Sequence, residues 1–181
     1  TPFYAEMGGQ VADHGYLVSG DAKLKVTQVK KTPKGYFVHT CELLDGTIHV
    51  DDEVTASVDE KRRAAICRNH TATHLLQKAL REVLGEHVHQ AGSYQDDPAE
   101  LAEVERRVNE KIYEALPVTV KNLPIEEAKK MGAMALFGEK YGSVVRVVDA
   151  GGWSTEFCGG THVTNTAQIG CFKILSESSV A

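Results

Sequence analysis

The sequence has no surplus of positive charge, no long apolar run and no closely paired cysteines, and each absence removes a class of function. Its 20 Lys and Arg face 25 Asp and Glu, a net charge of −5, so the chain does not hold nucleic acid by bulk electrostatics and any RNA contact must be local. No stretch approaches the roughly 20 apolar residues that a membrane-spanning helix needs, so no membrane partner is expected. The four cysteines, Cys41, Cys67, Cys158 and Cys171, form no Cys-x-x-Cys pair. A chain of this size needs no disulfide staples, which points to a reducing, cytoplasmic setting. There is no internal repeat and no low-complexity linker. The N-terminal Thr1-Pro2-Phe3-Tyr4 carries no initiator Met, no basic region and no apolar signal segment, and reads as a cut inside a longer protein.

What is present is an ordinary globular composition, 42% hydrophobic and 25% charged over 181 residues, which excludes disordered, collagen-like and coiled-coil classes. From Phe3 to Val58 apolar residues alternate with polar ones between turn signals: Leu24, Val26 and Val29, then Pro33-Lys34-Gly35, then Tyr36-Phe37-Val38, then Asp45-Gly46 before Ile48 and Val50. Short strands joined by hairpins fit this pattern, most simply as a small β-barrel over residues 1–58. At Asp59 the period changes. Asp59 can cap a long helix that runs to about Leu84 and stops at Gly85. A strand near Val88–Tyr94 follows, and Pro98 opens a helix whose Leu101, Val104, Val108 and Ile112 recur at three- and four-residue spacing up to Pro117. Val118–Val120, Val144–Val148 and Gln168–Leu175 read as strands, and Pro124–Lys130 as a short helix. Residues 59–181 are thus expected to form an α+β domain, with the long helix packed on an antiparallel sheet.

Two motifs carry chemistry. His70 and His74 stand four apart on the long helix, about 5 to 6 Å apart at Cβ, a spacing able to bite one metal ion. On a helical wheel, Ala65, Ala72, Leu76, Ala79 and Val83 share a stripe, and the two histidines point away from it, so they are not expected in the core. Cys158-Gly159-Gly160-Thr161-His162 adds a thiolate and an imidazole on a tight turn. With eight His and four Cys in the chain, chance gives both patterns together only about 0.06 times. Three imidazoles and one thiolate make a tetrahedral set that favours Zn²⁺ over hard cations. Cys67, one turn before His70, is a rival ligand, ranked lower because it would be a third from one helix face. Arg63, Lys78 and Arg81 fall on or beside the histidine face and suit phosphate. Thr71 follows His70, so the glutamate of a His-Glu-x-x-His protease is missing. The fingerprint of a zinc deaminase is missing as well. Gly8-Gly9-Gln10 is the tripeptide of the loop with which peptide-release factors attack peptidyl-tRNA, and by itself it decides nothing.

Taken together, Phe3-Tyr4-Ala5-Glu6-Met7-Gly8-Gly9-Gln10, Arg68-Asn69-His70-Thr71-Ala72-Thr73-His74-Leu75-Leu76, Gln90-Ala91-Gly92-Ser93 and Glu156-Phe157-Cys158-Gly159-Gly160-Thr161-His162-Val163 closely resemble the editing domain of bacterial alanyl-tRNA synthetases. Ala133–Gly142 looks like text of the same family. The resemblance implies hydrolysis of tRNA(Ala) mischarged with serine or glycine, with the tRNA acceptor end and the remainder of a synthetase as partners. It implies one zinc held by His70, His74, Cys158 and His162. Gln90 corresponds to a glutamine associated with editing, Glu156 lines the pocket, and these two with Cys158 are the candidate catalytic groups. Thr71, Thr73, Gly8, Gly9 and Gln10 are candidates for substrate binding, and Arg63, Lys78 and Arg81 for RNA binding. Two features depart from the family pattern: Met7 replaces a small residue before Gly-Gly, and the stretch between Ser93 and Asp97 is short. A threonyl-type editing domain and a zinc-stabilised RNA-binding module without turnover are the alternative readings.

Overall fold

The computed structural model describes residues 1–88, 98–134 and 142–176. The chain forms two compact units, Thr1–Cys67 and Arg68–Ala181.

The first unit holds four strands, β1 (Gly15–Ser19), β2 (Ala22–Lys31), β3 (Phe37–Asp45) and β4 (Thr55–Val58). They form one antiparallel sheet in the order β3-β2-β1-β4. Along β2 the inward positions are Ala22, Val26 and Val29, all fully buried, with Phe3, Ala5 and Ala12 in the same core cluster as the two valines. A bulge between Val26 and Gln28 breaks the strict alternation. The barrel expected here is not closed. Residues 46–54, where Ile48 and Val50 promise another strand, instead make a turn in which His49 N–H donates to the Asp52 carboxylate at 2.7 Å. Asp51 takes φ +70° there, and Val50 is 90% exposed. With four strands and no fifth to join them among the described residues, β3 and β4 remain the two edges.

Helix α1 spans Glu60–Leu84. Asp59 caps it, accepting the Arg62 N–H at 3.0 Å, and Gly85 stops it at φ +110°, both as the sequence indicates. Helix α2 (Pro98–Tyr113) buries Val104, Val108 and Ile112. It ends before Pro117, where Ala115 turns to φ +52°. The second sheet is antiparallel in the order β5-β6-β7, with β5 at Val118–Pro124, β6 at Val144–Ala150 and β7 at Ser154–Phe157. The short helix α3 (Ile125–Lys130) packs Ala128 into a cluster with Val145, Val147 and Phe157.

Two elements differ from the sequence reading. Strand β7 is too short and polar to announce itself, yet Gly151 and Gly152, at φ +60° and +74°, sit in the tight hairpin that folds it back on β6. Gln168–Leu175 is not a strand but the end of a 3₁₀ turn (Thr166–Ile169) followed by irregular chain. The side-chain amide of Asn109 supplies what a partner strand would, accepting from Phe172 N–H at 2.9 Å and donating to Phe172 C=O at 2.8 Å. The strand expected near Val88–Tyr94 lies, from residue 89 onward, outside the described residues, as does the stretch 135–141.

Candidate metal centre

Three elements of the second unit supply the site. The α1 turns from Asn69 to Leu75 carry His70, Thr71 and His74, β7 carries Ser154 and Glu156, and the loop after β7 carries Cys158 and His162. In β7 Phe157 enters the cluster on α3, while Ser154 and Glu156 are buried outside that cluster. Cys158 follows at once. Its N–H still pairs with Arg146 C=O at 3.0 Å, so the loop leaves the sheet with its first ligand fixed to the ladder.

One donor atom from each of His70, His74, Cys158 and His162 lies within 4.8 Å of the other three. Cys158 Sγ is 3.4 Å from His70 Nε2 and 3.3 Å from His162 Nε2. A tetrahedral ion with bonds of about 2.3 Å to sulfur and 2.0–2.1 Å to nitrogen would set those edges at about 3.6 Å, so these two edges stand nearly at bonding separation. Cys67 is not among the residues that converge. The donor set, three neutral imidazoles and one sulfur, fits a borderline-soft divalent ion.

The surroundings hold these ligands in place. Thr71 is 1% exposed. Its hydroxyl meets His162 Nδ1 at 3.0 Å and accepts Val163 N–H at 3.2 Å, leaving Nε2 of that ring to face the cluster. Glu156 Oε2 lies 3.6 Å from His74 Nδ1, and Ser154 Oγ donates to Oε1 at 3.2 Å. Gly160 N–H points at the sulfur, 3.4 Å away. Burial lowers the imidazole pKa of all three rings, helped by Arg146 and, for His74 and His162, by neighbouring rings, and takes His74 to about 3. Burial also pushes Glu156 up to about 7, against the Ser154 hydrogen bond. The pocket therefore keeps its imidazoles unprotonated, the form that binds metal.

His74 corrects the helical-wheel expectation: it is 7% exposed and belongs to the buried residues of α1 with Ile66, Thr71, Leu75 and Ala79. A wheel drawn from apolar residues alone misplaces the inward face when that face is polar and its polar atoms are satisfied.

Residues 1–62 match the family model "tRNA synthetases class II (A)", and residues 145–181 match "Threonyl and Alanyl tRNA synthetase second additional domain". The alanine–tRNA ligase of Bacillus cereus is 52% identical over 99% of this chain, that of Acetivibrio thermocellus 52% over 100%, and that of Halalkalibacterium halodurans 50% over 99%. Nearly the whole chain matches one segment of alanine–tRNA ligases. It spans 22% of the length of each of these alanine–tRNA ligases.

The remaining candidates are placed as follows. Gly8 and Gly9 form a tight exposed turn at φ +59° and +81°, closed by a bridge between Met7 and the buried Gln10. Thr73 is exposed and donates its hydroxyl to Asn69 C=O at 2.9 Å. Arg63 grips the buried Asp13 carboxylate through Nε and Nη2 and donates to Pro2 C=O. Lys78 lies 3.4 Å from Glu82, and Arg81 donates to Val88 C=O at 3.3 Å. Gln90 lies outside the described residues. Sequence reading missed Arg146 and Ser154. Arg146 on β6 donates to Cys158 C=O at 2.6 Å, placing a fixed cation beside the ligands. Its only sequence signal is a lone arginine within an apolar run, Val144–Val148. Among the described residues no helix is long and apolar enough to cross a membrane.

Proposed function

We propose that this chain is an editing domain that hydrolyses the aminoacyl ester of tRNA(Ala) mischarged with serine or glycine, as part of an alanine–tRNA ligase acting in the cytoplasm. The observation that carries this reading is the convergence of His70, His74, Cys158 and His162, with Glu156 behind His74, in a chain 52% identical to alanine–tRNA ligases. A synthetase pocket for alanine cannot exclude the smaller glycine, and it rejects an isostere bearing one extra hydroxyl by only about 10²-fold, so a second hydrolytic site is the physical remedy.

His70, His74, Cys158 and His162 would hold one Zn²⁺. When bound, such an ion supplies a positive centre that polarises an oxygen brought against it. Thr71 holds His162 by Nδ1, and Glu156 faces Nδ1 of His74, so both rings turn Nε2 inward. The reaction adds water to the ester carbonyl carbon and breaks the bond to the ribose oxygen. Serine or glycine leaves as the free acid, and the ribose hydroxyl keeps a proton from the water. Gln90 is a neutral amide able to donate and accept, so its part is to orient water or substrate rather than to take the proton. Thr73, Gly8, Gly9 and Gln10 are proposed to bind substrate, and Arg81 to bind RNA, with Arg63 and Lys78 doing so only in exchange for their carboxylate partners Asp13 and Glu82. A second reading, a zinc-stabilised RNA-binding module without turnover, draws on the four-ligand shell, which leaves a tetrahedral ion no open position.

Single-turnover deacylation decides between them. Zinc-loaded protein is expected to cleave Ser-tRNA(Ala) far faster than Ala-tRNA(Ala), and Gln90→Ala to slow cleavage about 10- to 10³-fold with zinc content unchanged. No cleavage of Ser-tRNA(Ala) by protein carrying one zinc would favour the module reading.

A further inference from the structure

Five lysines of this acidic chain lie on one hairpin. Residues 22–45, the whole of β2 and β3 with their turn, hold five lysines, Lys23, Lys25, Lys30, Lys31 and Lys34, and two carboxylates, Glu42 opposite Lys25 and Asp45 opposite Lys23. That is a net of +3 in a chain whose total is −5. Elsewhere some basic side chains, such as Arg68 and Lys121, have no carboxylate within 4.0 Å among the described residues, whereas Arg63, Lys78, Arg106, Arg107, Lys111, Lys129 and Lys173 each sit within 4.0 Å of one. Among the described residues none of the five hairpin lysines does. Edge protection does not account for them, because β2 is an interior strand of the sheet and carries four of the five.

Aromatic rings accompany the lysines. Lys23 Nζ stands 4.9 Å from the centre of the Tyr16 ring, and Lys31 Nζ 5.4 Å from that of Phe37. At the hairpin tip Tyr36 is 69% exposed and Phe37 42%. Lys23 and Lys25 lie two residues apart on the solvent side of β2, about 7 Å along the strand, comparable to the separation of neighbouring phosphates in an extended RNA strand. Cations at that spacing beside exposed ring faces are what backbone contact and base stacking require.

We propose that the β2–β3 hairpin is an RNA-docking surface, its lysines meeting phosphates and Tyr36 and Phe37 stacking on unpaired bases. The choice of tRNA as the RNA rests on the editing reading; the contact chemistry does not.

The test measures affinity of the metal-loaded chain for uncharged tRNA(Ala) as a function of salt. Lys30→Ala/Lys31→Ala/Lys34→Ala is expected to weaken binding about 10- to 100-fold at low salt and to flatten the log–log salt slope by about 0.7 for each phosphate no longer neutralised, about 2 for the three lysines together. The triple Lys→Arg variant keeps the charge and is expected to retain affinity and slope. Tyr36→Ala is expected to weaken binding about fivefold or more with the slope unchanged. All these side chains are on the surface, so the melting temperature is expected to hold. Unchanged affinity and slope in the triple alanine variant, or no measurable tRNA binding by wild type, overturns the assignment and leaves the hairpin a solvated or protein-facing surface. Single-turnover deacylation at saturating protein separates the two readings: a lysine effect on binding without wild-type turnover sinks the editing reading alone.

Discussion

Thr71→Val is the sharpest probe of the metal centre, because it changes one hydroxyl for a methyl group at a residue that is 1% exposed. The wild-type oxygen meets His162 Nδ1 at 3.0 Å and accepts Val163 N–H at 3.2 Å. In the variant both groups lose their partner, and Val163, 8% exposed, has little access to water. A buried donor left unsatisfied costs about 1–3 kcal/mol, so the metal-free protein is expected to lose that much stability. With the His162 ring no longer held by Nδ1, zinc affinity should fall about 10- to 100-fold, the usual consequence of removing an outer-shell partner. Competition with a chromogenic chelator measures the affinity, and thermal melting with and without zinc measures the stability. Thr71→Ser, which keeps the oxygen, should recover most of both. Zinc affinity within about twofold of wild type in Thr71→Val would refute the argument that this hydroxyl positions the ligand.

The metal-free protein is expected to lose stability on acidification from about pH 7 to 5. His70, His74 and His162 have folded pKa values below the ordinary 6.5, so their contribution is present above that value and is lost as pH falls. Glu156, raised to about 7 from 4.5, works in the opposite sense between those two values, and three rings outweigh one carboxylate. A melting temperature that rises over that interval, or a fall that His162→Gln leaves untouched, would contradict this. Arg146→Gln removes the 2.6 Å bond that fixes Cys158 C=O, and the lost positioning of the ligand loop is expected to weaken zinc binding about tenfold, outweighing the relief of repulsion between this cation and Zn²⁺. Arg146→Lys should do so less, as read by the same chelator competition. Gly46→Ala would place a Cβ 2.5 Å from Asp21 C=O at a φ of +74°, so urea unfolding should show a loss of at least about 1 kcal/mol.

Much of this protein is legible in the order of its residues. Asp59 and Gly85 mark both ends of α1 because caps are local chemistry, and Val104, Val108 and Ile112 announce the buried stripe of α2 because a helix has one period. Spacing also nominates the four ligands, since His70 with His74 and Cys158 with His162 each form a local pair. Tertiary structure decides what local pattern cannot carry. It leaves the N-terminal sheet open because residues 46–54 turn instead of pairing, and it replaces the last expected strand with a segment held by Asn109. It also buries His74 beside Glu156, where the helical wheel had turned it outward. Thr71 and Arg146 acquire their parts only when the Cys158–His162 loop comes against α1 and β6. Capping and periodicity act within a few residues, whereas a ligand's burial and orientation depend on groups far away in sequence, 91 residues apart for Thr71 and His162, and only the folded chain brings them together.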